Sequence, residues 1–198
     1  TGLMHNFVAH NKQKVMKGKI VVTGGTGYIG SHTVVELINE GYEAIIIDNL
    51  SNSSVEVLNG IAEITGVKPI FGQFDLTDQA RLTRFFESHK NIDAIIHFAA
   101  SKAVGESVQK PLLYYRNNLV SLVNILESMQ KFAVRNLVFS SSCTVYGEPD
   151  ALPVTEQSPI KEASSPYGNT KQICEEIIRD TLKVTPQLSA ISLRYFNP

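Results

Sequence analysis

The residues best suited to move a proton form the run Tyr167-Gly168-Asn169-Thr170-Lys171. Four positions apart on a helix, the phenol and the ammonium share one face. An ordinary tyrosine has a pKa of about 10 and is a poor base at neutral pH; lowering it by about 3 units takes roughly 4 kcal/mol of differential stabilisation. A lysine cation beside it, together with a second positive charge from a bound ring, favours the phenolate in a partly dry cleft. The Y-x-x-x-K spacing alone is common on solvated helices, so its meaning depends on its company. Upstream, Phe139-Ser140-Ser141-Ser142 closes an apolar run and would deliver hydroxyls at the end of a strand. The same serines read equally as a turn that satisfies its own backbone.

A second chemical signal is Thr23-Gly24-Gly25-Thr26-Gly27-Tyr28-Ile29-Gly30, which satisfies G-x-G-x-x-G from Gly25. Between a strand and a helix, such glycines allow a tight turn, close approach of backbone to a pyrophosphate, and close helix–sheet packing. The helix that follows offers unpaired N–H groups and a positive dipole end to the phosphates. Asp48 lies eighteen positions after Gly30, near the offset of about 20 at which a carboxylate meets a ribose 2′-hydroxyl. It would repel a 2′-phosphate, and no Arg or Lys stands within Asp48-Asn49-Leu50-Ser51-Asn52-Ser53, so the run favours NAD over NADP. The plainer alternative is an acid that caps the turn after its strand. A serine, a Tyr–Lys helix and a dinucleotide at one sheet edge suit hydride and proton removal from a secondary alcohol.

The elements that would position these groups follow from alternation along the chain. Short β-branched runs at Lys19–Thr23, Glu43–Asp48, Lys68–Phe71, Ala94–Phe98, Asn136–Ser141 and Leu188–Arg194 are each separated by a longer stretch. Several runs are apolar throughout, as strands buried on both faces are, and right-handed crossovers then give an α/β, doubly wound parallel sheet of Rossmann type. Amphipathic helices are expected over Thr33–Asn39, with Gly41 beyond its end; after Thr77 as N-cap, with Leu82, Phe85 and Phe86 inward; over Leu119–Met129; and from Tyr167 to about Lys183. Residues 1–17 show no clean periodicity and are read as a flexible tail, which leaves 18–198 as one nucleotide-binding domain.

Composition narrows the partners. With 43% hydrophobic and 19% charged residues, 198 residues can bury one sizeable core. A net charge of −1 without long charge runs provides no footprint for nucleic acid or an anionic membrane. No apolar stretch approaches the roughly 20 residues of a membrane span. Cys143 and Cys174 lack C-x-x-C spacing, which points to free thiols in a reducing, cytoplasmic setting. His5, His10, His32, His89 and His97 are not at metal-ligand spacing, so no metal is expected. Tyr114 and Tyr115 suit the core better than a cofactor wall; Tyr146 suits either the core or a sugar pocket.

From Lys19 to Pro198 the chain resembles the extended short-chain dehydrogenase/reductase family, and within it the enzymes that invert C4 of UDP-hexoses. The resemblance rests on eight segments in order: Thr23–Thr33, Ile47–Ser53, Phe74–Leu76, His97–Pro111, Tyr114–Asn118, Phe139–Gly147, Ser165–Lys171 and Leu193–Pro198. It implies that Gly24, Gly27, Tyr28, Ile29 and Gly30 meet the pyrophosphate of NAD, that Asp48, Asn49, Leu50, Ser51, Asn52 and Ser53 surround the adenosine ribose, and that Asp75 and Leu76 flank the adenine. Phe98, Ala99, Ala100, Ser101, Lys102 and Asn117 would line the dinucleotide, and Phe196 would contact the nicotinamide end. Ser142, Tyr167 and Lys171 would be catalytic, with Ser142, Tyr167 and Asn197 meeting the UDP-hexose.

The implied reaction is the interconversion of UDP-glucose and UDP-galactose, as in galactose metabolism, through a 4-keto sugar, with NAD retained. Dehydratases of this family carry an acid–base pair directly after the strand-end hydroxyl; here Ser142-Cys143-Thr144-Val145-Tyr146-Gly147 has no carboxylate, which disfavours dehydration. Another UDP-sugar epimerase or a decarboxylase stays open, as does a non-catalytic dinucleotide-binding role. The family continues into a substrate-binding lobe after the position of Pro198. A fragment ending there is expected to turn over weakly or not at all. Helices near Leu119–Met129 and Ile173–Lys183 would pair between subunits of a homodimer.

Overall fold

The computed structural model describes residues 16–196. Six parallel strands form one sheet in the order β3-β2-β1-β4-β5-β6. They are β1 (Lys19–Thr23), β2 (Glu43–Asp48), β3 (Ile70–Gln73), β4 (Ala94–His97), β5 (Asn136–Ser142) and β6 (Ser189–Tyr195). The doubly wound sheet expected from the apolar runs is therefore present. Its strand order reverses between β1 and β4, and ligands of such sheets bind in the crevice outside the carboxyl ends at that point.

Six helices and a 3-10 turn connect the strands: α1 (Tyr28–Asn39), α2 (Val57–Thr65), α3 (Gln79–Ser88), α4 (Val104–Gln109), α5 (Pro111–Phe132), the turn Cys143–Tyr146, and α6 (Pro166–Val184). Alternate side chains of the central strands go to two separate cores. Val21, Ile45, Ile47, Ile95, Leu137 and Phe139 pack with α3, α5 and α6, while Ile20, Val22, Ala44 and Ile46 pack with α1 and α2. This division explains why the strands are apolar at consecutive positions rather than at every second one.

Several element bounds differ from those expected. Strand β3 starts at Ile70, not Lys68, because Pro69 has no N–H for a ladder and opens the strand from outside. It then runs to Gln73, in register with Asp48. Helix α1 begins at Tyr28, five residues before the expected Thr33, since Gly27 already serves as its N-cap. Asp78, not Thr77, caps α3: its carboxylate accepts the Arg81 N–H at 3.0 Å, whereas the Thr77 hydroxyl donates to Asp75. Helix α5 extends back to Pro111, whose fixed φ suits a first helical position. Helices α2 and α4 and the 3-10 turn carried no sequence expectation. At the boundary with the N-terminal segment, the Lys17 N–H donates to the Gly41 carbonyl at 3.0 Å. The expectation for residues 1–15 lies outside the described residues.

Candidate functional site

The glycine turn leaves β1 at the reversal point. Gly24 has φ +69, and a Cβ there would stand 2.8 Å from the Ala99 nitrogen, so the turn passes against the loop after β4 with no room for a side chain. At Gly30 a Cβ would fall on the Gly24 carbonyl and 2.8 Å from the Gly25 Cα, so α1 can sit this close to the turn only with glycine. No side chain caps the first N–H groups of α1, a feature it shares with α2, α4 and α5, whereas Asp78 and Ser165 cap α3 and α6. The α1 N–H groups and the dipole end match the demands of a pyrophosphate. Tyr28 and Ile29 form the first turn; Tyr28 is exposed and packs edge-on against His32, with ring centroids 5.1 Å apart.

Asp48 ends β2 beside that turn. One carboxylate oxygen accepts the Thr26 N–H at 3.2 Å; the other accepts the Leu50 N–H at 2.9 Å and the Ser53 hydroxyl at 3.3 Å. The turn-capping reading is thus realised, and the same bonds place the acid at the mouth of the crevice. Leu50 adopts φ +59, and the Asn49 side chain donates to Asp75 at 2.9 Å, tying the loop after β2 to that after β3. Leu76 turns its side chain into the core, so only its backbone can face an adenine. Ser51 and Asn52 are exposed at the loop tip.

After β4, Phe98, Ala99, Ala100, Ser101 and Lys102 form the opposite wall. The buried Asn118 holds it: Ser101 N–H donates to its side-chain oxygen at 2.8 Å, and its amide donates to the Ser101 carbonyl at 3.0 Å and to Thr170 at 3.1 Å. Asn117 donates to the Ser101 hydroxyl at 3.0 Å. The Thr170 hydroxyl donates to the Tyr167 carbonyl at 2.7 Å, so one network joins this wall to the helix of the Tyr–Lys pair.

The proton-transfer candidates meet at the ends of β5 and α6. Ser165 caps α6 by accepting the Gly168 N–H at 3.1 Å, which places Tyr167 in the first turn. Ser142, the last residue of β5, accepts the Thr144 N–H at 3.3 Å and stands near enough to Tyr167 to favour its ionised form by hydrogen bonding. Burial outweighs that effect and Cys143 adds to it, so the phenol lies above its usual value of 10. Lys171 therefore does not by itself make Tyr167 a phenolate; the expectation joined it to a positive nicotinamide ring. The reason is geometric. Lys171 Nζ sits 5.9 Å from the Tyr167 ring centroid and donates instead to the Ser140 carbonyl at 2.7 Å. Lys171 is only 4% exposed, and burial lowers it to about 8, against smaller upward effects of Cys174 and Glu175.

His97 also ends a strand at this edge. Its Nδ1 lies 2.7 Å from the Thr23 hydroxyl; burial, aided by the Lys171 charge, depresses its pKa to about 3, so it stays neutral. Phe196 follows β6, exposed, 6.2 Å from the Tyr146 ring. Asn197 lies outside the described residues. Tyr114 is core, as expected, with its hydroxyl donating to Glu106 at 2.9 Å. Tyr115 accepts from Asn169 at 2.6 Å, and Tyr146 is buried and accepts from Arg194 at 2.8 Å. Both cysteines are free thiols. Among the described residues no group of three His, Cys, Asp or Glu side chains could hold a metal, and no helix is long and apolar enough to cross a membrane.

Sequence reasoning passed over Glu175, Arg194, Asn118 and Thr170. Glu175 had a usable signal, since it continues the spacing of Tyr167 and Lys171 by one more helical step. The others depend on packing between distant segments.

Known proteins with the same geometry carry this reading further. The UDP-glucose 4-epimerase of Schizosaccharomyces pombe is 52% identical over 188 residues, covering 93% of this chain and 52% of that protein. Among solved structures, UDP-glucose 4-epimerase from Bifidobacterium longum in complex with NAD+ and UDP superposes with a TM-score of 0.89 at 46% identity, over 91% of this chain and 53% of that one. The enzyme from Stenotrophomonas maltophila, with bound NAD and formylated UDP-arabinopyranose, gives 0.87 at 44% identity, over 91% and 53%. The chain spans about half the length of the curated relatives it matches. The profile of the NAD dependent epimerase/dehydratase family matches residues 20–198, and with the glycine turn, the sheet reversal and the Ser–Tyr–Lys arrangement in place, the chain belongs to that family.

Proposed function

We propose that residues 18–198 are the NAD-binding and catalytic domain of an enzyme that interconverts UDP-glucose and UDP-galactose by inversion at C4. The observation that carries this reading is the meeting of Ser142, Tyr167 and Lys171 at the carboxyl edge, across the crevice from the uncapped N-terminus of α1. The relatives named above support the sugar and the cofactor.

NAD fits the residues present: the glycine turn and the N-terminus of α1 would hold its pyrophosphate, Asp48 its adenosine ribose, and the wall from Phe98 to Lys102 with Asn117 its nicotinamide half. Bound there, it supplies the hydride acceptor and then the donor, so the reaction has no net redox change. Tyr167 Oη takes the proton of the sugar 4-hydroxyl while Ser142 donates a hydrogen bond to the same oxygen, and a 4-keto sugar results. When the ketone presents its other face, Tyr167 would give the proton back to the same oxygen as C4 is reduced, restoring the alcohol with inverted configuration. Because burial holds the phenol above 10, the ionised form needs positive charge from Lys171 together with the nicotinamide ring. Lys171, buried and anchored to Ser140, orients the nicotinamide ribose. Phe196, exposed after β6, would extend the site toward the nicotinamide.

The two free thiols favour a reducing, cytoplasmic setting. The exposed Leu112, Leu113, Val120 and Val123 of α5 favour a homodimer through that helix. The reading is tested by denaturing the purified protein, identifying the released cofactor, and following UDP-glucose and UDP-galactose by proton NMR with the intact enzyme. NAD in stoichiometric amount with approach to equilibrium from either sugar is expected. Release of no dinucleotide overturns the reading; NAD without sugar conversion leaves a dinucleotide-binding protein that is not an epimerase.

A further inference from the structure

One turn beyond Lys171 on the same face of α6, Glu175 is the hub of a half-buried network that the proposed chemistry does not use. Its carboxylate accepts the Ser141 hydroxyl at 2.5 Å, Arg194 Nε at 3.0 Å and Arg194 Nη2 at 2.7 Å. Arg194 stands beside Ser141 in the β5–β6 register, and its Nη1 donates to the Tyr146 hydroxyl at 2.8 Å while the guanidinium lies 4.8 Å from that ring centroid. Tyr146 closes the 3-10 turn whose N-cap is Ser142. A planar guanidinium gripping a carboxylate in a fork fixes both distance and orientation, which a single contact does not.

We propose that Glu175 is a positioning residue of the Ser142–Tyr167–Lys171 group: through Ser141 and Arg194 it locks the Lys171 face of α6 to the end of β5 and to the turn that carries Ser142. This inference rests on the epimerase reading above. Three members of the network neighbour a reacting residue or share its element, and Arg194 joins them from the adjacent strand, paired with Ser141. Ser141 precedes Ser142, Tyr146 ends the turn that Ser142 begins, and Glu175 follows Lys171 by one turn. An ion pair serving stability alone has no need of that placement, and partly buried pairs are weak stabilisers once desolvation is counted.

The network also has an electrostatic consequence that a packing role lacks. Facing Lys171 are Tyr167, Cys174 and Glu175 on its own helix, the Ser140 carbonyl and Phe139 ring on β5, and the neutral His97 on β4. Glu175 is the one carboxylate among these, and it is faced in turn by Arg194 and Ser141. Its removal takes away a negative charge and leaves Arg194 unopposed, both of which favour earlier proton loss from Lys171.

The test uses the intact protein with its bound cofactor and the variants Glu175→Gln and Glu175→Asp. In Glu175→Gln, NAD content and KM for the UDP-sugar stay within about twofold, kcat falls by about tenfold or more, and the alkaline limb of the kcat–pH profile moves down by about one pH unit. Glu175→Asp keeps the charge but shortens the reach, so kcat falls while the limb stays in place. A Glu175→Gln profile that overlays the parent's overturns the inference, as does an unchanged kcat in Glu175→Asp; the second variant decides alone should the first not fold. A parent protein without NAD or epimerase activity overturns the functional reading itself, independently of either variant.

Discussion

Replacing Gly30 by alanine adds one methyl group at the most crowded point of the cofactor turn. The new Cβ would land on the Gly24 carbonyl, 2.8 Å from the Gly25 Cα and 3.0 Å from the Gly24 carbonyl carbon. All three neighbours are backbone, so no rotamer change relieves the contact. Helix α1 must retreat or the turn must open. Overpacking of this kind costs about 1–3 kcal/mol, which for a domain of this size is a fall in Tm of roughly 2–10 °C. The same retreat withdraws the α1 N–H groups from the pyrophosphate, and NAD affinity falls by about tenfold or more. Gly60 is the control, because a Cβ there meets nothing within 4 Å and the residue lies inside α2. Gly60→Ala should raise stability by about 0.5–1 kcal/mol, the ordinary helix preference for alanine, without touching cofactor binding. Differential scanning calorimetry and calorimetric titration of NAD into cofactor-stripped protein read both effects. Equal Tm and equal NAD affinity for Gly30→Ala and parent would refute the close-approach argument.

Two further perturbations follow from the charges at the crevice. Asp48→Asn keeps an acceptor for the Leu50 N–H but removes the charge facing the ribose, so the preference for NAD over NADP should narrow by roughly tenfold in competitive binding. For His97, burial places the folded-state pKa at about 3, below the ordinary 6.5, so the unfolded chain takes up a proton that the folded chain refuses. Its contribution to stability is complete above pH 6.5 and declines as pH falls toward 3; between pH 7 and pH 5 the loss is roughly 2 kcal/mol. Urea unfolding of parent and His97→Gln at the two pH values checks the sign, and a parent curve no steeper in pH than the variant's contradicts it.

How much of this was legible beforehand varies with the range of the forces involved. Strands β1 and β2 match the sequence reading residue for residue because Ile20–Val22 and Ala44–Ile47 are uniformly apolar, and only a sheet covered on both faces accommodates that. Strand β3 slipped because Gly72 and Gln73 lack a strand signature and are held by pairing with Ile47 and Asp48. The start of α1 was hidden by Gly27 and Gly30, which cap and pack the helix but carry no helical signature of their own. Helix α2 was missed although Leu58 and Ile61 are buried, since Asn59 and Gly60 break its pattern.

At the site, spacing marked Tyr167 and Lys171 and the strand end marked Ser140 to Ser142, while the choice of Ser142 among those serines came from the family resemblance. The direction in which Lys171 points could not. It depends on the Ser140 carbonyl and on burial, and both emerge only when α6 docks on β5. The Glu175–Arg194 fork joins residues 19 positions apart on different elements and was likewise out of reach.

The central claim is that Tyr167 exchanges the proton of the sugar 4-hydroxyl at a bound NAD. The most direct measurement is the rate of UDP-glucose and UDP-galactose interconversion by the intact Tyr167→Phe protein, with its cofactor content determined on the same sample. Full NAD content with a rate lower by about 10²–10⁴-fold is predicted, the usual worth of a positioned acid–base group. A variant that retains NAD and converts the sugars at the parent rate would contradict the assignment.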